Sequence, residues 1–257
     1  MFSFIKTPLF GYLLLASTLL TALPADSKPV KNIVLVHGAY ADGSSWSRVI
    51  PILQAAGHNV TAVQQPLSSI PDDVAKTNAA LEQIEGPIVL VGHSFGGSVI
   101  TEASYNNPKI SALVYVAAFA PDFNQSALDM MLKYPLPPVA TSLVTDSQGR
   151  QTILKDKFVQ YFCPDVKSIC KVLATAQGPS DQGRYIYKSG QPGWKQHPNY
   201  YVVAGNDHII NPQLEADTAV RIKAVKTIKV AGSSHAVLVS HPQVVADIIM
   251  EAANAKK

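Results

Sequence analysis

An α/β fold, in which helices cover both faces of a mostly parallel sheet, is predicted by two features of the sequence. Short apolar runs alternate with amphipathic stretches from Asn32 onward, as parallel strands and their connecting helices do. A glycine-rich turn, GHSFGG at residues 92–97, joins one apolar run directly to the amphipathic stretch that follows it. We therefore expect about six strands in one sheet.

The predicted strands are continuous apolar runs, which is typical of strands buried on both faces. In chain order they lie at Asn32–Val36, Asn59–Val63, Ile88–Val91, Ala112–Ala117, Tyr200–Ala204 and Thr227–Val230. Helices are predicted in the stretches between and after them, each starting after serine, proline or the glycine-rich turn. They lie at Trp46–Ala56, Asp72–Gln83, Phe95–Tyr105, Gln213–Lys223 and Val244–Ala253.

The alternation of strands and helices stops between about residues 121 and 192. Prolines cluster there, and two helical segments, Lys155–Phe162 and Val166–Ala176, follow each other closely. A loop of this length without structure of its own is uncommon in a compact domain. We therefore predict a small helical cap at about residues 121–192, inserted into a single domain that spans residues 28–257.

Residues 1–27 have the pattern of a secretory signal peptide. Lys6 precedes an apolar run through Leu20, and small residues follow from Ala22. A retained membrane anchor is the alternative, but interspersed proline, glycine and hydroxyl residues leave fewer than the ~20 apolar residues that a spanning helix needs. We expect cleavage between Ala22 and Lys28 and a secreted or periplasmic protein without a stable membrane anchor.

Charge and cysteine content exclude several classes of partner. Charged residues make up 15% of the chain, the formal net charge is +3, and no lysine or arginine run suggests a nucleic acid or an anionic membrane as partner. Two cysteines without an adjacent histidine argue against zinc. We expect neither a metal nor an organic cofactor, and the sequence predicts no oligomeric state.

The two cysteines, Cys163 and Cys170, are candidates for a disulfide. On one continuous helix they would be about 10 Å apart at ~1.5 Å rise per residue, which is too far to bridge. Pro164 argues against such a helix. If Cys163 ends one cap helix and Cys170 lies in the next, the pair can meet, and an oxidising compartment would preserve the bond.

The glycine-rich turn has the G-x-S-x-G pattern of a nucleophile elbow between a strand and a helix. Ser94 would occupy the strained turn, and Gly92 and Gly96 would let the helix approach the strand closely. A phosphate-binding loop is the alternative, but it requires a lysine followed by serine or threonine, which is absent here. Ser94 is therefore the candidate nucleophile.

A serine hydroxyl needs a base and a group that orients the base. Among the seven histidines, His235 follows the last predicted strand, at the edge where Ser94 also emerges, and is the candidate base. Asp207 ends the penultimate strand and is the candidate acid, with Asp122, after the fourth strand, as the alternative. His37 and His93 flank the site and are expected to be structural neighbours.

The negative charge that develops on an attacked carbonyl oxygen needs preorganised donors, and removing one typically costs ~2.7–4 kcal/mol of barrier. The backbone N–H groups of Ala39 and Phe95 are the candidates. Ala39 follows the first strand in a glycine-containing turn, and Phe95 follows Ser94. Their side chains are free to vary because the backbone supplies the proton.

Taken together, His37-Gly38-Ala39, the GHSFGG turn, Asp207 and His235 resemble the α/β-hydrolase superfamily. The most similar branch contains secreted bacterial esterases and, more distantly, plant methylesterases and hydroxynitrile lyases. The resemblance covers nearly the whole mature chain. It implies the α/β-hydrolase fold, no cofactor, and hydrolysis of a carboxylic ester of a small, largely apolar substrate through an acyl-enzyme intermediate.

Two other activities are compatible with the resemblance: a carbon–carbon lyase of the hydroxynitrile type and a non-catalytic small-molecule-binding protein. The lyases carry a lysine directly after the catalytic histidine and a threonine after the histidine that ends the first strand. This chain has Ala236 and Gly38 at those positions, which favours ester hydrolysis. Apolar cap residues that could contact the substrate are Met130, Met131, Leu132, Tyr134, Leu136, Phe158, Tyr161 and Phe162.

Overall fold

The computed structural model describes residues 1–3 and 30–255. Apart from its first three residues, the predicted signal peptide lies outside the described residues, as does its predicted cleavage region. Among the described residues, no helix is both long and apolar enough to cross a membrane.

The described residues contain two sheets. In chain order their strands are β1 (Asn32–Val36), β2 (Asn59–Val63), β3 (Ile88–His93), β4 (Ile110–Val116), β5 (Leu143–Thr145), β6 (Arg150–Ile153), β7 (Ser180–Asp181), β8 (Asn199–Ala204) and β9 (Lys226–Val230). The main sheet has six strands in the order β2-β1-β3-β4-β8-β9, and every pair in it is parallel. The predicted parallel sheet is thus confirmed, with its strands within a few residues of the predicted bounds.

Helices connect and cover the strands. They are α1 (Ile50–Ala55), α2 (Ile70–Glu82), α3 (Gly96–Ala103), α4 (Ala127–Met131), α5 (Lys155–Tyr161), α6 (Lys167–Ala176), α7 (Pro212–Arg221), α8 (Val237–Ser240) and α9 (Pro242–Asn254). Helix α3 packs on β3, α7 on β8, and α9 against β4. The hydrophobic core lies between these helices and the sheet.

Burial along the strands follows from their place in the sheet. Every residue of β3, β4 and β8 is buried, whereas the edge strands β2 and β9 consist mostly of exposed and partly buried residues. Central parallel strands are covered on both faces, so they read as continuous apolar runs. The edge strands contact one neighbour only and carry threonine and lysine at solvent-facing positions.

The first predicted helix begins later than the sequence suggested. A short 3-10 turn, Gly43–Trp46, comes first and is capped by the Asp42 side chain, which accepts a hydrogen bond from the Ser44 N–H at 2.7 Å. Helix α1 follows only at Ile50. The serines that predicted a helix start belong to this separately capped turn.

The insertion between β4 and β8, here called the cap, is not purely helical. It contains the predicted helices α5 and α6, but also the antiparallel three-stranded sheet β5-β6-β7, which the sequence analysis missed. The hairpin between β5 and β6 is closed by Asp146, whose Oδ1 accepts from the N–H groups of Gln148 and Arg150, and by Gly149 with a φ of 78°. Strands of two to four residues leave too little periodicity to identify.

Candidate active site

Ser94 lies in a sharp turn between β3 and α3. Its φ of 56° is in the left-handed region, which costs a non-glycine residue about 1–3 kcal/mol and persists only where the surroundings enforce it. The Ser94 N–H donates to Val116 O at 3.1 Å, and Ser94 O accepts from the N–H groups of Gly97 and Phe119. These backbone bonds hold the serine in the strained conformation at the carboxyl end of β3.

The glycines of this turn are required because backbone passes close to them. A Cβ on Gly92 would lie 2.6 Å from Gly96 O, and a Cβ on Gly96 would lie 2.5 Å from Val36 O. Real Cβ atoms do not approach backbone oxygens this closely, so any side chain here would displace the turn. Close packing of α3 on β3 and β1 therefore depends on these positions.

Asp207 and His235 meet at the same edge of the sheet. His235 Nδ1 lies 2.5 Å from Asp207 Oδ2, and both side chains are fully buried. The second carboxylate oxygen, Oδ1, accepts from the N–H groups of Ile209 and Ile210 at 2.6 and 2.9 Å. The carboxylate is thus fixed in orientation and available as acceptor for the Nδ1 proton of His235.

The loops after β8 and β9 are joined to each other, which explains how Asp207 reaches His235. The Asn206 N–H donates to Ser233 O, and the Gly205 N–H donates to Val230 O, both at 2.9 Å. A Cβ on Gly205 would lie 2.7 Å from Val230 O. Glycine at this position permits the close approach of the two loops.

His93 connects the serine turn to His235. It directly precedes Ser94, its Nε2 lies 3.0 Å from the backbone oxygen of His235, and the two rings are 4.6 Å apart. Burial, followed by the neighbouring His235, lowers the pKa of His93 well below its usual value. His93 therefore stays neutral and, with Nε2 protonated, donates to the histidine backbone.

The His235 ring is enclosed on its other side by Phe162 of the cap, whose ring packs edge to face at 4.8 Å. Its Nε2 is buried and has no hydrogen-bond partner among residues 1–3 and 30–255. The Ser94 hydroxyl likewise makes no hydrogen bond to His235 in that part of the chain. The structure thus brings the two residues to one edge and leaves Nε2 open to accept a proton.

His37 is held by its own turn. Its Nδ1 lies 2.9 Å from Gly38 O, and its Nε2 lies 2.9 Å from the Gln65 N–H, from which it accepts. Burial lowers the pKa of His37, so it stays neutral. Both ring nitrogens are occupied, which leaves no atom free for proton transfer.

The backbone N–H groups of Ala39 and Phe95 do not donate to any acceptor within the described residues. Both residues are 3% exposed and line the same cavity as Ser94. Buried backbone donors are rarely left unpaired in folded proteins. Two unpaired amides beside a serine are therefore suited to bind an oxygen of a bound molecule.

The cavity has a volume of about 180 Å³, and its lining is almost entirely apolar. The sheet edge contributes Ala39, Ser94, Phe95 and Phe119. The loop after β8 contributes Ile209 and Ile210, and the cap covers the remaining sides. The cap residues are Leu128, Met131, Leu136, Pro137, Val139, Ala140, Leu143, Phe162 and Tyr185.

Of the cap residues named from the sequence, three line this cavity: Met131, Leu136 and Phe162. The others lie elsewhere in the cap, among them the fully buried Phe158 and the 65% exposed Leu132.

Asp122, the alternative acid, is engaged elsewhere. Its Oδ1 accepts from Lys195 Nζ at 2.5 Å and from the Phe123 N–H at 2.7 Å. It lines a separate groove with Trp194 and Arg221. The structure brings Asp207, and not Asp122, to His235.

A disulfide joins Cys163 and Cys170, whose Cα atoms are 5.7 Å apart. Cys163 follows α5, and Cys170 lies within α6. Both residues are fully buried. Within the described part of the chain, no three His, Cys, Asp or Glu side chains are grouped so that they could hold a metal ion.

Glu215 was missed by the sequence analysis. It is completely buried on α7, and its Oε2 accepts from the Ala204 N–H at 2.9 Å. Burial, reinforced by the adjacent Asp207 carboxylate, raises the pKa of Glu215 well above its usual value. A protonated Glu215 can donate to Asp207. One polar position in an amphipathic helix carries no signal of this contact.

Comparison with known proteins agrees with this geometry. A model of the alpha/beta hydrolase family matches residues 33–248. Methylesterase 2 from Arabidopsis thaliana is 27% identical, over 90% of this chain and 98% of the relative. The alpha-hydroxynitrile lyase of the same plant is also 27% identical, over 82% and 93%.

Among solved structures, polyneuridine aldehyde esterase superimposes with a TM-score of 0.75. The match covers 86% of this chain and 98% of that one at 21% sequence identity. This likeness identifies the fold.

Proposed function

This chain belongs to the alpha/beta hydrolase family and its esterase relatives support ester hydrolysis in general; within that class we propose that it is a serine-dependent carboxylesterase. The observation that carries the proposal is the hydrogen-bonded pair of His235 and Asp207 at the sheet edge that also holds Ser94. Serine-esterase chemistry uses a nucleophile, a base and an acid that orients the base.

In the proposed mechanism, the Ser94 hydroxyl attacks the ester carbonyl carbon while its proton passes to His235 Nε2. Asp207 keeps the Nδ1 proton in place and stabilises the imidazolium. The N–H groups of Ala39 and Phe95 bind the oxyanion. The proton then passes to the departing alcohol, and a water molecule, activated by the same histidine, releases the acid from the acyl-serine.

The proposed substrate is a small ester with an apolar group. The lining around Ser94 offers aliphatic and aromatic side chains, so binding is driven by removal of apolar surface from water. Two phenol groups also line the cavity, Tyr40 from the loop after β1 and Tyr185 from the cap, and they bond to each other at 2.9 Å. No cofactor is needed for this chemistry.

Cyanohydrin cleavage is the second candidate, favoured by the similarity to the hydroxynitrile lyase. Two positions oppose it. Ala236 is fully buried and brings no positive charge for a departing anion. At Gly38, a Cβ would lie 2.5 Å from Ser94 Cβ and 3.0 Å from Ser94 Oγ, so a threonine there would displace the serine. Ester hydrolysis requires neither side chain.

The discriminating experiment is an activity panel on the purified mature protein. We expect p-nitrophenol release from short acyl esters and no cyanide release from mandelonitrile above the uncatalysed rate. Ser94→Ala is the control for both reactions. Enzyme-dependent cyanide release without ester turnover would show that the protein is a lyase and not an esterase. Binding without turnover of either compound would indicate a non-catalytic binding protein.

We further propose that the protein is exported, because residues 1–27 have a signal pattern. In an oxidising compartment the Cys163–Cys170 disulfide would be stable. Intact mass spectrometry of the protein recovered from the periplasm or medium should find a mature N-terminus between Ala22 and Lys28 and no free thiol. A full-length chain would contradict export. Two free thiols would contradict the disulfide.

A further inference from the structure

The loop that carries His235 is held by the cap on both sides of the histidine. This histidine loop comprises residues 231–236, between β9 and α8. The Asp165 carboxylate accepts from the Ser234 N–H at 3.0 Å and from the Ser234 hydroxyl at 2.6 Å. On the other side, the Ala236 N–H donates to Phe162 O at 3.1 Å.

The cap segment that makes these contacts is itself fixed. Phe162 and Asp165 flank Cys163, and the disulfide to Cys170 ties this turn to α6. The turn begins with Pro164, whose ring restricts φ, and closes with the Val166 N–H donating to Cys163 O. A short, cross-linked turn presents its carboxylate in one direction.

The histidine loop needs such support. Gly232 in it has a φ of 74° and no neighbour within 4 Å of a Cβ position, so the loop before His235 is held by backbone bonds such as that from the Asn206 N–H to Ser233 O, and not by packing around Gly232. The His235 ring has one side-chain hydrogen bond, to Asp207, and Nε2 is open. The position of the His235 ring therefore depends on its backbone, which is held by His93 at His235 O and by the cap at residues 234 and 236.

We propose that Asp165 is a positioning residue that fixes the histidine loop, and that the Cys163–Cys170 disulfide holds Asp165 in place for this role. The proposal rests on the proposed function of His235 as the base. Asp165 does not line the cavity and has no contact with the reacting atoms. Its effect is confined to the geometry of proton transfer.

The first test compares Asp165→Ala, Asp165→Asn and the matched control Asp156→Ala, which removes an exposed carboxylate of α5 without a side-chain hydrogen bond in the described structure. Misplacement of a reacting group by about 1 Å can cost 10²-fold. We expect Asp165→Ala to lower kcat about 10- to 100-fold with unchanged KM for a p-nitrophenyl ester. Asp165→Asn keeps an acceptor oxygen for Ser234 and should restore much of kcat.

Thermal unfolding midpoints separate positioning from stability. Asp165→Ala leaves the two donors of buried Ser234 without an acceptor, so it should unfold at a lower temperature than Asp156→Ala and remain fully folded at the assay temperature. If kcat of Asp165→Ala equals that of Asp156→Ala while the wild type is active and Ser94→Ala is not, the positioning role is wrong and the proposed function stands. If the wild type hydrolyses no ester, the proposed function fails first.

The second test removes the disulfide with the double substitution Cys163→Ala and Cys170→Ala. We expect a loss of kcat similar in size to that of Asp165→Ala, and no further loss when the two changes are combined, because coupled residues act through one contact. Multiplicative losses in the combined variant, or full kcat without the disulfide, would show that the bond does not act through Asp165.

Discussion

Both oxygens of the Asp207 carboxylate accept hydrogen bonds, and together these bonds fix its orientation toward His235. Oδ1 takes two backbone N–H groups, which fix its plane, and Oδ2 takes His235 Nδ1. An asparagine at this position has one oxygen and one NH2 group. If the NH2 group faces Nδ1, it donates to that nitrogen; if it faces the N–H groups of Ile209 and Ile210, donors face each other. The first arrangement favours the His235 tautomer that is protonated at Nε2, which cannot take a proton in the proposed mechanism, and the second displaces the side chain from His235.

We therefore expect Asp207→Asn to lower kcat by as much as ~10⁴-fold. Asp122→Asn removes only a half-exposed pair with Lys195, a type of contact worth about 0–1 kcal/mol, and should leave kcat nearly unchanged. Steady-state kinetics on one ester measures both variants. The opposite ranking would assign the orienting role to Asp122.

The raised pKa of Glu215 predicts how the stability of the protein depends on pH. Burial and Asp207 raise its pKa in the folded protein, so the folded state retains a proton that the unfolded chain releases near pH 4.3. Stability is therefore lost as the pH rises above that value toward the folded pKa. Glu215→Gln has no proton to lose, yet can accept from the Ala204 N–H and donate to Asp207.

Denaturant unfolding of wild type and Glu215→Gln at pH 5 and pH 8 measures this effect. We expect the difference in free energy of unfolding, variant minus wild type, to be larger at pH 8 than at pH 5. Ester turnover should be retained. A constant difference at both pH values, or a variant that becomes relatively less stable at pH 8, would mean that Glu215 is ionised in the folded protein.

Among the elements, helix α3 lies so close to the chain after β4 that no side chain fits between them at Gly97. A Cβ on Gly97 would lie 2.1 Å from Phe119 O and 2.8 Å from Ala118 Cβ. The Phe119 N–H also donates to Ser94 O. A larger residue at position 97 would thus move both the helix and the serine turn.

Gly97→Ala should lower the free energy of unfolding by at least about 1–3 kcal/mol, the usual cost of overpacking, and should reduce ester turnover. Gly190→Ala is the matched control, since its nearest contact would be Glu102 at an ordinary 3.5 Å, and a change within about 0.5 kcal/mol is expected. Equal unfolding free energies for the two variants would contradict the close packing described for α3.

The sequence predicts the central strands of the main sheet but not the short strands of the cap. β3, β4 and β8 can be predicted because burial on both faces leaves continuous apolar runs. Because the carboxyl ends of parallel strands lie at one edge of the sheet, the strand positions also predict that Asp207 and His235 lie close together. The cap strands were missed because two to four residues have no readable period. The contact of Asp165 with Ser234 joins segments 69 positions apart, and Glu215 reaches back from α7 to the end of β8; no local pattern encodes either contact.

At the scale of the whole molecule, the sheet and the cap have separate tasks. The carboxyl edge of the sheet supplies Ser94, Asp207, His235 and the free amides, whereas the cap closes the cavity with apolar side chains. The cap also touches the histidine loop through Asp165 and Phe162. Cap substitutions that line the cavity should therefore alter substrate preference, whereas those at the loop contact should alter kcat.

The central claim is that Ser94 is an activated nucleophile, and its most direct test is peptide mapping by mass spectrometry after treatment with a fluorophosphonate. Only a serine beside a base and oxyanion donors reacts rapidly with this reagent. We predict a single adduct on Ser94, formed at a rate that falls strongly in His235→Ala. An unmodified Ser94 in protein that still hydrolyses esters, or an equally rapid adduct in Ser94→Ala, would contradict the claim.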